Sequence, residues 1–174
     1  MNPFALVLLI NSAAAISGPA DAAPASPAPA SAVAAPQAEE LWYRDYKKAQ
    51  EVAIKEKKPI VMLFTGSDWC KYCILLEKEA LSHEEFKVWA KKNVVLFLAD
   101  KTMKSKRPAD EITQNDGLKE KYKKYHPAGV PTVIVTDAEG NACGDTGYDK
   151  GMTPETFIAD LEKLIKKGPK KSAK

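Results

Sequence analysis

Cysteine, long apolar runs and an excess of either charge are all scarce in this chain of 174 residues. Each scarcity closes off a class of protein. Three cysteines are too few to staple a small disulfide scaffold, and an odd number leaves one thiol over. The apolar run Phe4 to Ile16, interrupted by Asn11 and Ser12, falls short of the roughly 20 residues a membrane span needs. The 26 basic and 23 acidic residues leave a net charge of only +3. That is too little to mark a nucleic-acid binder, and basic and aromatic residues are not interleaved as a phosphate-tracking surface requires. Charge is also missing from one whole region. Asp21 is the only charged side chain before Glu39, so two compositions are joined near residue 39.

The charge-poor part has two pieces. Phe4 to Ile16 has the length of the apolar core of a secretory signal, and Ala20-Asp21-Ala22 offers a small-x-small cleavage site. Residues 1–22 therefore read as a signal peptide, although Met1-Asn2-Pro3 supplies no basic residue; an uncleaved anchor or a different start codon is the alternative. Of the twenty residues Pro19 to Ala38, fifteen are Ala or Pro. Such a stretch has no large side chains to bury and is biased to extended chain, so 23–38 reads as a linker. The remaining 136 residues, 39–174, suffice for one domain with a real core.

Within that domain, Trp42, Tyr46, Ala49 and Ala53 recur at helical spacing and predict a helix over 39–58, which Pro59 stops. Ile60 to Thr65 and Val94 to Leu98 are continuous apolar runs of the kind buried on both faces. Ser82-His83-Glu84-Glu85 reads as a capping box opening a helix through Lys92. Residues 100–116 are polar and basic and predict a surface insertion, with a short helix from Leu118 to Tyr125. Thr132 to Val135, a turn at Asp137 to Asn141 and Ala142 to Thr146 predict a hairpin. Thr153-Pro154-Glu155 opens a last helix that Gly168-Pro169 ends. Residues 168–174 are a basic tail. Two strand-plus-helix units, a hairpin and a closing helix make an α/β sandwich with helices on both faces of a small mixed sheet.

The chemistry lies in Trp69-Cys70-Lys71-Tyr72-Cys73, which follows a buried strand and opens a helix. A cysteine at a helix N-terminus meets unpaired N–H groups and the positive end of the dipole, both of which favour thiolate. Two intervening residues let the second sulfur attack a mixed disulfide on the first. Cys70 is then the exposed nucleophile and Cys73 the more buried resolving thiol. Zinc would need four ligands, and no second C-x-x-C is present while His83 and His126 lie on separate segments. A structural disulfide is the other alternative, but a two-residue loop constrains the unfolded chain little. A c-type haem would need histidine where Ile74 stands. Trp69 and Tyr72 fit an apolar rim around the pair, and Trp42 and Trp89 fit the core. Cys143, in the hairpin, fits a small buried filler or a thiol for an intermolecular disulfide. His126 fits a loop.

The runs Lys58-Pro59, Phe64-Thr65-Gly66-Ser67-Asp68-Trp69-Cys70 and Val130-Pro131-Thr132 make the chain resemble the thioredoxin superfamily, nearest its secreted disulfide-isomerase-like branch. The resemblance covers roughly 41–167 and makes 39–167 a thioredoxin-like domain, an α/β/α sandwich with an extra N-terminal helix. It implies a cis Pro131 against the Cys70–Cys73 pair, and Val130 as a backbone partner for a substrate chain. Two departures stand out. Thioredoxins proper bury an aspartate six residues before the first cysteine to move the resolving thiol's proton, and here Phe64 holds that place. Asp68 or Glu77 is a substitute acid, although Asp68 reads more simply as a helix cap and Glu77 as solvated. Asp68 would also raise the Cys70 pKa against the dipole and Lys71. The second departure is the separation of Cys73 from Pro131, 58 positions, with residues 100–116 holding the excess, which reads as a plain loop more readily than as a segment that shapes partner choice.

The expectation is a periplasmic or secreted thiol-disulfide oxidoreductase. It uses Cys70 and Cys73 on protein dithiols or disulfides, draws electrons from a partner protein, and needs no diffusible cofactor, metal or nucleic acid. It acts as a monomer without stable membrane insertion after signal cleavage. The alternatives are a redox-inert binding module or holdase and a thiol-based metal carrier.

Overall fold

The computed structural model describes residues 41–125 and 129–169. The expected signal peptide, linker, His126 and the end of the basic tail lie outside them. The five strands are β1 (Trp42–Tyr43), β2 (Ile60–Thr65), β3 (Val95–Asp100), β4 (Thr132–Thr136) and β5 (Ala142–Thr146). They form one sheet in the order β1-β3-β2-β4-β5. The two pairs on the β1 side are parallel and the two on the β5 side antiparallel, the mixed sheet expected. Helices α1 (Tyr46–Glu56), α2 (Lys71–Leu76), α3 (Glu84–Asn93), α4 (Ala109–Lys121) and α5 (Pro154–Lys167) complete the fold.

All six residues of β2 are buried, as the apolar run requires of a central strand. Its alternation splits the core in two. Val61 and Leu63 pack with Leu76, Phe86 and Phe157 on one face. Ile60, Met62 and Phe64 pack with Ala49, Ala53 and Phe97 on the other. Phe64, standing where an aspartate was looked for, is therefore core. Burying a ring such as that of Phe157, which has no solvent exposure, contributes about 2–3 kcal/mol by transfer alone.

Several sequence expectations are corrected. Trp42 does not begin the first helix; it lies on β1 beside Leu96, and α1 starts at Tyr46 with Asp45 as its cap. Ser82 is no N-cap. The helix after the dithiol continues from α2 into a π-helical turn, Glu77–Leu81, and the Ser82 hydroxyl donates back to the Lys78 carbonyl at 3.3 Å. Half of the polar stretch 100–116 is helical, because α4 begins at Ala109. That helix buries only Leu118 and is held by polar contacts instead. Gln114 Oε1 accepts the Tyr46 N–H at 2.8 Å, its Nε2 donates to the Arg44 carbonyl at 2.8 Å, and Arg44 pairs with Glu111 at 3.2 Å.

The hairpin and α5 follow the sequence closely. Thr153 caps α5 with Pro154 in its first turn. The β4–β5 register slips by one between Val135 and Thr136, which pair with Gly144 and Ala142. Cys143 is thus the extra residue of a bulge, and its thiol is free and buried. Burial pushes its pKa up, with the Asp137 carboxylate adding to the effect.

Candidate active site

Because β2 and β3 run parallel and in register, Thr65 and Asp100 end side by side. The carboxyl ends of such strands are where an α/β sheet presents its ligand sites. Beyond Thr65 the chain turns tightly, with the Trp69 and Cys70 N–H groups both donating to the Gly66 carbonyl at 3.2 and 2.8 Å. Gly66 has the Trp69 indole against it where a Cβ would stand, so a side chain there would displace the ring.

Cys70 is the N-cap of α2, with φ −85° and ψ 109°. The pair Cys70–Cys73 is closed as a disulfide. The Cys73 N–H points at Cys70 Sγ at 3.2 Å. An N–H aimed at sulfur from the first turn of a helix stabilises negative charge there once the disulfide opens. Cys70 Sγ also lies 3.6 Å from the Val130 carbonyl oxygen, and the Val130–Pro131 bond is cis. The structure therefore brings together Cys70, Cys73, Val130 and Pro131. The expected contrast in exposure is not found: Cys70 is 6% and Cys73 4% exposed, the two sulfurs being closed together with the Val130 carbonyl against Cys70.

Trp69 and Tyr72 flank the pair at 41% and 58% exposure, as a rim requires. Trp69 Nε1 donates to the Lys101 carbonyl at 2.7 Å. The Tyr72 ring stacks on Tyr148 with centroids 5.9 Å apart. The Tyr148 hydroxyl in turn donates to Glu79 at 2.8 Å.

Asp68 does not cap the helix. Its carboxylate accepts the N–H groups of Met103, Lys104 and Ser105 at 3.0, 2.7 and 3.1 Å. These bonds, that from Met103 foremost, hold its pKa below the usual carboxylate value. Glu77 is exposed, as expected of a solvated acid. It shares with Cys73 a cavity of about 480 Å³ whose wall includes Thr65, Ser67, Asp100 and Arg107. Partial desolvation raises its carboxyl pKa, with Lys87 pulling the other way.

A further cluster, around Asp100, is announced by no motif in the sequence. Asp100 is 4% exposed and accepts three hydrogen bonds, from the Ser67 N–H at 3.0 Å, the Ser67 hydroxyl at 2.7 Å and Arg107 at 2.7 Å. It thus ties the end of β3 to the turn before Cys70 and to the loop that follows β3. An acid ending a buried strand was the available signal, once the neighbouring strand was known to end at the dithiol.

Known proteins give the same pattern. A family model for the thioredoxin-like domain matches residues 46–165. The disulfide bond reductase DsbH of Chlamydia pneumoniae is 33% identical over 114 residues, 66% of this chain and 67% of that protein. Among solved structures, a DsbH oxidoreductase superposes with a TM-score of 0.65 at 30% identity, over 72% of this chain and 83% of its own. The disulphide isomerase of Xylella fastidiosa Temecula1 gives a TM-score of 0.54 at 20% identity, over 69% and 88% of the two chains; at that identity the likeness is one of fold.

Proposed function

Since the chain belongs to the thioredoxin-like domain family and is a thiol-disulfide oxidoreductase, we propose that it works outside the cytoplasm as a reductase of protein disulfides. The observation that carries the proposal is the head of α2, where Cys70 Sγ receives the Cys73 N–H and faces the Val130 carbonyl. In the dithiol form the Cys70 thiolate attacks one sulfur of a substrate disulfide. An intermolecular disulfide forms and the other substrate sulfur leaves as thiolate. Cys73 then gives up its proton and attacks Cys70 Sγ, the Cys70–substrate bond breaks, and the substrate departs as a dithiol. Two electrons have passed to the substrate, and a partner dithiol restores the enzyme by the same exchange.

Cys73 needs a proton acceptor, and Phe64 cannot be one. Glu77 fills that role: it lines the cavity that Cys73 also lines, and the partial desolvation that raises its pKa makes its carboxylate a stronger base than a fully hydrated one. Val130 and Pro131 hold the substrate chain beside Cys70, and Trp69 and Tyr72 cover the exchange site. The reducing direction is supported by the relative named as a disulfide bond reductase. Export is supported by the apolar run Phe4 to Ile16 with Ala20-Asp21-Ala22 behind it; residues 1–22 are then removed and 23–38 serve as a tether.

Two measurements test this. Reduced protein should open the disulfides of a test protein, and Cys70→Ser should abolish the reaction; undiminished activity in that variant would refute the mechanism. The reductase direction requires a potential nearer the roughly −270 mV of thioredoxin than the roughly −120 mV of the strong oxidant DsbA. A value at the oxidising end would reverse the proposed direction.

A further inference from the structure

The loop of residues 101–107 is fastened to the rim of the dithiol along its length. The Lys101 N–H donates to Thr65 at 2.9 Å, and the Lys101 carbonyl holds the Trp69 indole. Asp68 takes three successive N–H groups in the middle of the loop. The Thr102 hydroxyl closes the turn onto the Ser105 carbonyl at 2.6 Å, and Arg107 anchors the far end to Asp100. A surface loop with this many bonds has a fixed backbone, and it leaves its lysines and methionine at the surface. Lys101, Lys104 and Lys106 are exposed, and Met103 is 70% exposed.

Trp69, held by the loop at the Lys101 carbonyl, leads directly into α2 with exposed Lys71, and Trp69, Tyr72 and Ile74 are each at least 41% exposed. The nearby acids offset this charge only in part. Asp100 is paired with Arg107 and Glu111 with Arg44, whereas Asp68 bonds backbone N–H groups and keeps its charge. Glu77, Asp110 and Asp116 are exposed, but Asp116 shares its hollow with Lys101 and Lys119, and the exposed lysines around the loop outnumber these acids. A rigid cationic edge next to an apolar rim complements a chain that is acidic and apolar together. Such complementarity acts mainly on encounter rate and on the choice among partners.

We propose that the clamped loop 101–107 is a docking surface that selects protein substrates whose reactive cysteine is flanked by Asp or Glu. The proposal rests on the dithiol-exchange reading of Cys70 and Cys73 and adds the substrate class. It is tested with three peptides that share one disulfide and carry acidic, neutral or lysine flanks, each reduced by the dithiol form of the full chain. The acidic peptide should react about tenfold faster than the basic one at 20 mM salt, and this ratio should fall towards one by about 0.5 M salt. The double variant Lys104→Glu, Lys106→Glu should invert the ratio. Lys55→Glu with Lys167→Glu, an equal change of net charge away from the dithiol, should keep it within about twofold of wild type. A wild-type ratio near one, a ratio unmoved by the loop variant, or an equal shift in the control variant would overturn the docking surface while leaving exchange intact. Failure to reduce even the neutral peptide would overturn both.

Discussion

Replacing Asp100 with alanine removes the point at which three segments around the dithiol are joined. The carboxylate is 2% exposed and its Arg107 partner 21%, and the carboxylate also accepts both donors of Ser67. Hydrogen bonds to charged groups contribute about 1.5–3 kcal/mol each, but they do not add when they share one acceptor group. Breaking a fully buried ion pair costs about 3–5 kcal/mol. Arg107 keeps some solvent to compensate, which places Asp100→Ala near the low end, at about 3 kcal/mol. For a domain of this size that is roughly 10 °C in Tm. Asp100→Asn keeps an oxygen for Ser67 and loses the charge opposite Arg107, so it should cost about half as much. Urea unfolding of the disulfide form measures both values. Hydrogen exchange should show the loop amides of 103–105 opening in Asp100→Ala before those of the sheet. A loss below about 1 kcal/mol, against the about 3 expected, would mean that the rim is held elsewhere and that Asp100 does not join it.

Asp68 sets a pH limit on the same loop. Its folded-state pKa is depressed by the three N–H donors, so its contribution is complete above the ordinary value of about 3.9 and is lost as pH falls through the lower folded value. Protection of the 103–105 amides should therefore survive to about pH 4 and vanish in more acid solution, and Asp68→Asn should weaken it at every pH. Glu77→Gln should slow the release of mixed disulfides by about tenfold or more at pH 7; an unchanged rate in stopped-flow measurements would remove Glu77 from the mechanism. Phe157→Ala should cost about 3–5 kcal/mol in chemical denaturation, because the ring is fully buried against Phe86.

The elements legible in the sequence are those whose cause is local. Continuous apolar runs identify β2 and β3, and Thr153-Pro154 identifies the start of α5 to the residue. The Cys70–Cys73 pair and the cis bond before Pro131 belong to the same class, since short motifs carry them. What escaped depends on distant partners. Trp42 keeps helical spacing with Tyr46 by coincidence, and only pairing with Leu96 makes it a strand. The Ser82 motif has the right letters, yet the π-helical turn before it engages the hydroxyl first. In α4 no apolar stripe exists to be read, because its anchors are Arg44 and Tyr46, nearly seventy positions upstream. Asp68 looks like a cap in a local reading and instead reaches the loop 35 to 37 positions on.

In the proposed exchange Cys70 attacks and Cys73 resolves. Mass spectrometry of the adduct that Cys73→Ser forms with a disulfide-containing substrate distinguishes these roles. A stable mixed disulfide is expected through Cys70 and none through the buried Cys143. An adduct on Cys143, or full turnover without any trapped intermediate, would rule these roles out.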